Sequence, residues 1–308
     1  MGASRDTKPF CALQSRAAHE PLYGTGRETA HWLLLEVDRP WKRKAVKNNR
    51  LPAPVQERLA RWTASTPRAR VQFIRKEVGT RRESNAIQLY AVAVRPGQAA
   101  LFRTRLAAYE ALADLDLSFV ATGTMPSDDR WRSSDERLVL TCVHGKRDRC
   151  CAKWGRPVHR AFERAPSVTA WQTTHLGGHR FSPTTLVLPD GIHYGRLRPG
   201  DAAPLVEAHR RGCIYRLDRL RGEVVFVRPV QAAAYFLRRE LGIRAINALR
   251  LVASDEEADR WRVTFAIEGP GAIEDARYRV ALAIESVTAM YPKSCGDTPG
   301  ASIPRYRI

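Results

Sequence analysis

A chain of 308 residues with 44% hydrophobic side chains can bury a sizeable core and is long enough for two domains. Its apolar runs, such as Trp32-Leu-Leu-Leu-Glu, Ala91-Val-Ala-Val and Val224-Val-Phe-Val, are strand-length and fall short of the roughly 18–20 residues of a membrane helix. Six cysteines with no Cys-x-x-Cys exclude a disulfide scaffold, the usual dithiol oxidoreductase motif and the common zinc ribbons, while a net charge of +19 favours anionic partners.

In chain order, residues 1–30 read as an extended polar lead-in without the apolar stretch of a secretory signal, so the expectation is a cytoplasmic protein with no membrane association. Trp32–Val37 reads as a strand and Pro52–Trp62 as a helix, with Val55, Leu59 and Trp62 at helical spacing. Strands are expected over Val71–Ile74 and Ala86–Val94, on either side of a charged Gly-Thr-Arg-Arg turn. Leu101–Leu115 reads as an amphipathic helix, and residues 122–136, polar and rich in Gly, Pro, Ser and Asp, as a linker.

A second unit follows. Leu138–Thr141 is expected as a strand delivering Cys142, Ala152–Arg164 as a helix and Val168–Gln172 as a strand leading to His175. Thr184–Leu188, Pro189-Asp190-Gly191 and Ile192–Tyr194 form a hairpin pattern, and Pro199–Arg210 a helix. This β-α-β-β-β-α order matches a thioredoxin-like arrangement of helices on a mixed sheet. Beyond it come a helix over Ala232–Leu241 and strands over Ile246–Val252, Trp261–Ile267 and Tyr278–Ile284, with regular structure breaking after Lys293. The fold class is α/β with a mixed sheet, in three parts. Residues 1–130 form an N-terminal lobe that repeats some of the same patterning, as a degenerate second copy would. Residues 131–228 form the thioredoxin-like unit, and residues 229–308 a small α+β extension.

Chemistry concentrates in Cys142-Val-His-Gly-Lys-Arg-Asp-Arg-Cys150-Cys151 and His175-Leu-Gly-Gly-His179. Cys142 ends a strand, and Cys151 begins a helix whose N-terminal dipole favours a thiolate. Cys150 and Cys151 are neighbours, so only one of them can face a given site. Gly177-Gly178 argues against a helix between the histidines and for a tight loop. Arg180 follows at once and can offset negative charge. Cys11, Cys213 and Cys295 stand alone in sequence. Structural zinc and a [2Fe–2S] cluster with both cysteines on one loop and both histidines on another remain open; a Rieske site needs a Cys-x-x-His that is not present.

The chain resembles the sucrase/ferredoxin-like family, whose C-terminal part is a thioredoxin-like [2Fe–2S] ferredoxin domain. The resemblance rests on Cys142-x-His-Gly-Lys-Arg-Asp-x-Cys-Cys151, His175-Leu-Gly-Gly-His179-Arg-Phe and Leu188-Pro-Asp-Gly-x-x-Tyr-Gly195. It extends to Cys11-x-x-x-Ser, Glu20-Pro-Leu-x-Gly-Thr-Gly and Trp32-Leu-Leu-Leu-Glu with Arg39-Pro-Trp41, and covers most of residues 10–240. Typical thioredoxin-like ferredoxins carry Cys-x-x-x-Cys where this chain has His-x-x-x-His, and fungal members are similar to this chain in using two of each residue. The resemblance therefore implies Cys142, Cys151, His175 and His179 as cluster ligands, with Cys150 the alternative thiolate and Arg180 behind them.

It further implies an electron carrier or redox module rather than a stand-alone enzyme. With two imidazoles in place of two thiolates, the potential is expected above that of plant-type ferredoxins, and electron transfer is expected to couple to a proton. The basic surface suits an acidic redox partner; no nucleic-acid-binding motif accompanies the charge, which disfavours nucleic acid. Two alternatives compete: a zinc-stapled basic binding module, and an oxidoreductase using Cys11, Cys213 or Cys295 as a reactive thiol fed by the cluster. No carboxylate pair suggests glycoside chemistry.

Overall fold

The computed structural model describes residues 9–77, 85–95, 97–269 and 276–308. The Gly-Thr-Arg-Arg turn lies outside them. Helix α1 (Cys11–Ala17) replaces the expected extended lead-in, and its Cys11, Ala12 and Ser15 are buried. Strand β1 (His31–Glu36) is buried at every position, as a central strand covered on both faces must be. It runs through helix α2 (Ala53–Ser65) into β2 (Ala69–Arg75), which pairs parallel to it. A hairpin of β3 (Ile87–Arg95) and β4 (Gln98–Leu106) then adds antiparallel to β1.

Strand β4 corrects the helix expected over Leu101–Leu115. Phe102, Thr104 and Leu106 are buried while Arg103 and Arg105 are exposed, the period of a strand, and only Tyr109–Leu112 turns as a 3-10 helix. The expected linker is also packed structure. After α3 (Phe119–Thr122), Trp131 is 1% exposed, and β5 (Arg132–Ser133) pairs with β4. A single buried tryptophan outweighs the polar composition around it.

The next segment repeats the same plan. Strand β6 (Leu138–Cys142) leads through α4 (Arg149–Glu163) into parallel β7 (Thr169–Thr173). Strands β8 (Thr184–Leu188) and β9 (Ile192–Gly195) then add antiparallel on the far side of β6. Helix α5 (Ala202–Arg210) follows a 3-10 turn at Pro199–Asp201, and β10 (Leu220–Glu223) closes the edge beside β9. The ten-stranded order β10-β9-β8-β6-β7-β2-β1-β3-β4-β5 reads the same outward from its centre, where β7 and β2 meet antiparallel. Every pairing on one side has its counterpart on the other. Residues of both units, among them Trp32, Leu34, Val92, Leu138, Leu140, Trp171 and Leu186, join one core on a single face, so the sheet is continuous in packing as well as in hydrogen bonds.

Helix α6 (Arg228–Leu241) covers a separate antiparallel sheet of β11 (Leu249–Glu257), β12 (Arg260–Ile267), β13 (Tyr278–Thr288) and β14 (Ser302–Arg307). Strand β11 begins later than expected, after a 3-10 turn at Ile246–Ala248. Strand β14 lies where regular structure was expected to have ended. Phe236, Val263, Phe265, Leu282 and Tyr306 form the core between α6 and this sheet.

Candidate metal centre

The buried run Leu138–Cys142 makes β6 an inner strand, and its last residue is Cys142. The chain turns through Gly145 and enters α4, whose N-cap Asp148 accepts a hydrogen bond from the Cys150 backbone N–H at 2.8 Å. That cap sets the first helical turn, which carries Cys150 and Cys151. About 100° of helical rotation separates the two, so their side chains diverge. Cys151 points to Cys142 and His175, whereas Cys150 points to Cys11 and Cys295.

The helix can come this close to the strand end only because residue 155 is glycine. A Cβ there would stand 2.1 Å from the Cys142 carbonyl oxygen. Gly155 thus fixes the spacing between the two cysteines.

On the opposite side, β7 delivers His175, and Gly177 and Gly178 carry φ of 98° and 68° before His179 opens a 3-10 turn. Left-handed backbone at both positions folds the loop back, so the two imidazoles stack with centroids 4.8 Å apart. His175 Nδ1 lies 4.0 Å from Cys142 Sγ and 3.8 Å from Cys151 Sγ. His179 Nε2 lies 3.8 Å from Asp148 Oδ2, and its Nδ1 is buried without a hydrogen-bond partner. Both cysteines are fully buried; the His179 side chain is 11% exposed. The thiols form the floor of the site and the imidazoles its outer wall.

Electrostatics divide this group. Burial by itself raises the Cys142 thiol, but hydrogen bonding with Cys151 and the nearby His175 take it well below the ordinary thiol range. Cys151, donating to Cys142 and buried, is pushed well above that range. The pair therefore shares a proton that a metal would displace. Burial and the neighbouring His175 push His179 down to about 4, leaving its imidazole neutral, the form that ligates.

Two arginines, one half-buried and one buried, neither signalled by any sequence spacing, hold the histidine loop. Arg70 of β2 donates to the carbonyls of Leu176, at 3.2 Å, and His175. Arg221 of β10 donates to the Gly177 carbonyl at 2.8 Å and contacts His193 Nε2 at 3.0 Å. Burial pulls each down to about 9, so both remain cationic at neutral pH behind the loop that faces Cys142 and Cys151. Gln72 Nε2 adds a bond to the Thr174 carbonyl at 2.7 Å, so the first unit supplies most of the loop's backbone partners.

Arg180 turns away from the sulfurs. It pairs with Glu20 at 2.7 Å and, with Arg221, Arg228, Lys293 and Arg305, lines a cavity of about 270 Å³ beside Gly178. His144 is a packing residue: its Nε2 lies 3.0 Å from the Lys42 carbonyl, and its ring meets Trp41 edge-on. Cys213 stands apart, its thiol donating to the Arg211 carbonyl. Cys11 and Cys295 do not stand alone as their sequence positions suggest; α1 and the segment after β13 bring both to Cys150.

The donor set fits a soft metal centre. Two thiols and the His175 imidazole converge in a buried site with His179 stacked beside them, His179 Nδ1 has no hydrogen-bond partner, and guanidinium groups lie behind the loop. No helix among the described residues is long and apolar enough to cross a membrane.

A family model described as sucrase/ferredoxin-like matches residues 22–222. Altered inheritance of mitochondria protein 32 from Meyerozyma guilliermondii is 33% identical over 100 residues, which is 29% of this chain and 35% of that protein. The chain thus matches about a third of that curated relative's length. Among solved structures, the thioredoxin-like [2Fe–2S] ferredoxin from Aquifex aeolicus is 24% identical, covering 28% of this chain and 97% of the ferredoxin, with a TM-score of 0.24. A second structure of a thioredoxin-like [2Fe–2S] ferredoxin from that organism is 26% identical over 26% of this chain and 84% of its own, with a TM-score of 0.22.

Proposed function

The chain belongs to the sucrase/ferredoxin-like family, and on that footing we propose that it is an electron-transfer protein holding a [2Fe–2S] cluster on Cys142, Cys151, His175 and His179. Such a cluster supplies a one-electron acceptor. The observation that carries the reading is the convergence of Cys142, Cys151 and His175 within 4.8 Å of one another, with His179 stacked on His175. Buried thiols secure the inner side of the group, and the less buried imidazoles give it an outward face through which a partner can exchange electrons. Arg70 and Arg221 fix the loop and offset negative charge. Gly155 sets the approach of Cys151 to Cys142.

The basic cavity beside Gly178 supports an acidic partner protein docking near His179. Rates of reduction by such a partner are expected to fall with ionic strength, and Arg305→Glu to lower them without altering the protein's spectrum. Proton release is expected to accompany electron transfer through the imidazole nitrogens; a reduction potential constant over roughly pH 6 to 10 speaks against that.

Anaerobic purification with iron and acid-labile sulfide analysis tests the assignment. About two irons and two sulfides per chain, with visible absorption bands, are expected. His175→Cys and His179→Cys are each expected to shift that spectrum. A colourless protein without iron, or a spectrum untouched by either substitution, overturns the assignment.

A further inference from the structure

The proposed cluster site leaves unused the side chains on the other side of the first turn of α4. Cys150 Sγ lies 3.5 Å from Cys11 Sγ and 3.2 Å from Cys295 Sγ, and Cys295 Sγ lies 3.6 Å from Cys11 Sγ. The three sulfurs thus form a nearly equilateral triangle. Asp148 Oδ1 lies 3.2 Å from Cys295 Sγ, and all four donors fall within 4.8 Å of one another. Cys11 and Cys150 are fully buried, and the Asp148 side chain is 1% exposed.

Three explanations compete for this arrangement. Cysteines often act as small apolar residues, but Asp148, the N-cap of α4, also sets a buried carboxylate oxygen 3.2 Å from one of these sulfurs, a charged neighbour that apolar packing alone disfavours. A disulfide joins only two sulfurs, leaving the third thiol against Asp148, and the three separations single out no pair. A tetrahedral ion uses all four donors. Ligation at about 2.3 Å to sulfur sets sulfur–sulfur edges of about 3.8 Å, a few tenths beyond the separations observed. We propose that Cys11, Cys150, Cys295 and Asp148 form a structural zinc site, distinct from the group of Cys142, Cys151, His175 and His179.

The surroundings suit that role. Asp148 is oriented by the backbone N–H groups of Cys150 and Cys295, at 2.8 and 2.9 Å, and by the Ser294 hydroxyl at 3.1 Å, the kind of support that holds a ligating carboxylate. Zinc on three thiolates and a carboxylate leaves the centre anionic, the thiol protons passing to solvent as the ion binds. Arg149 answers that charge: its Nε and Nη2 are buried without a hydrogen-bond partner, and its guanidinium lies over the Phe10 ring at 4.3 Å. Phe10 and Trp154 pack edge-to-face at 4.9 Å and shield the sulfurs from water. With four protein ligands the centre is closed, as structural zinc sites are.

The test uses the full chain produced with zinc in the medium and dialysed against a weak chelator. About one zinc per chain is expected, independent of iron content, with a zinc-edge absorption spectrum of three sulfurs and one light atom. Cys11→Ser and Cys295→Ser are each expected to lower bound zinc at least about tenfold, and Cys213→Ser to leave it in place. Should the serine variants fail to fold, the ligand count from the unmodified protein decides. A chain without zinc, a disulfide between any two of Cys11, Cys150 and Cys295 in a non-reducing peptide map, or zinc held by two sulfurs and two nitrogens overturns the proposal. The last result would put zinc where the cluster is proposed and overturn that assignment as well, whereas about two irons and two sulfides per chain with no zinc overturns this proposal alone.

Discussion

The two halves of the ten-stranded sheet share every strand pairing, yet only one carries the ligand group. In the second unit the turn after β6 holds Cys142, Cys150 and Cys151. In the first unit the corresponding stretch after β1 holds Arg39, Trp41, Lys42 and Arg50 around a cavity of about 350 Å³, with no sulfur. Where β7 leads to His175, its counterpart β2 ends in Arg75, whose guanidinium lies over the Trp41 ring at 4.2 Å. The strand frame is therefore neutral as to chemistry, and a few loop residues decide it. The unit without ligands still serves the other: Arg70 and Gln72 of β2 donate to the carbonyls of residues 174–176, and the Phe73 carbonyl accepts from the Thr174 N–H, across the central junction.

The sharpest way to break this contrast is to remove a ligand. Cys142→Ala or Cys151→Ala is expected to abolish nearly all iron and sulfide, while Trp41→Phe in the matching turn leaves the visible spectrum unchanged. If both units respond alike, the division of labour is wrong. Next in size is Gly155→Ala. Alanine favours a helix by about 1 kcal/mol, but here its Cβ would meet the Cys142 carbonyl. Overpacking is expected to win, with a net loss of about 3 kcal/mol in chemical denaturation and reduced iron content. Wild-type stability in this variant would show that α4 can move away freely.

Arg70→Met tests the service of the first unit to the second. It strands the His175 and Leu176 carbonyls, and a loss of about 2–3 kcal/mol with an altered spectrum is expected. A stability loss with an unaltered spectrum would make Arg70 a packing residue only.

The smallest contrast lies in acid sensitivity. His159 of α4 is fully buried and burial holds it down at about 4, whereas α2 buries only Val55, Leu59 and Trp62. Because the folded value lies below the ordinary 6.5, the stabilisation is complete above pH 6.5 and is lost as pH falls toward 4. The expected loss is about 2 kcal/mol by pH 5. His159→Leu should flatten that slope; an unchanged slope would place the acid response elsewhere.

Much of the second unit was legible because its strands are continuous buried runs, its helix is amphipathic, and its turns carry Gly and Pro at the positions that need them. The misread stretch over Leu101–Leu115 had leucines compatible with a helix, but the alternation of Phe102, Arg103, Thr104, Arg105 and Leu106 belongs to a strand. Trp131 was hidden within polar composition. The ligand motifs were visible as short spacings. Arg70 and Arg221 were not, since each reaches its carbonyls only through strand pairing. Cys11 and Cys295 could not be joined to Cys150 from spacing, because the fold alone brings together residues 284 apart in sequence.

That separation bears on the unfolded chain. A link between residues 11 and 295 encloses nearly the whole polypeptide in one loop, and the entropy of closing 284 residues is on the order of 5 kcal/mol. The folded protein already holds these ends at one point, so a bond there restricts chiefly the denatured ensemble. Trimming α1 or the tail beyond β13 would release that restriction even where neither segment touches a redox partner.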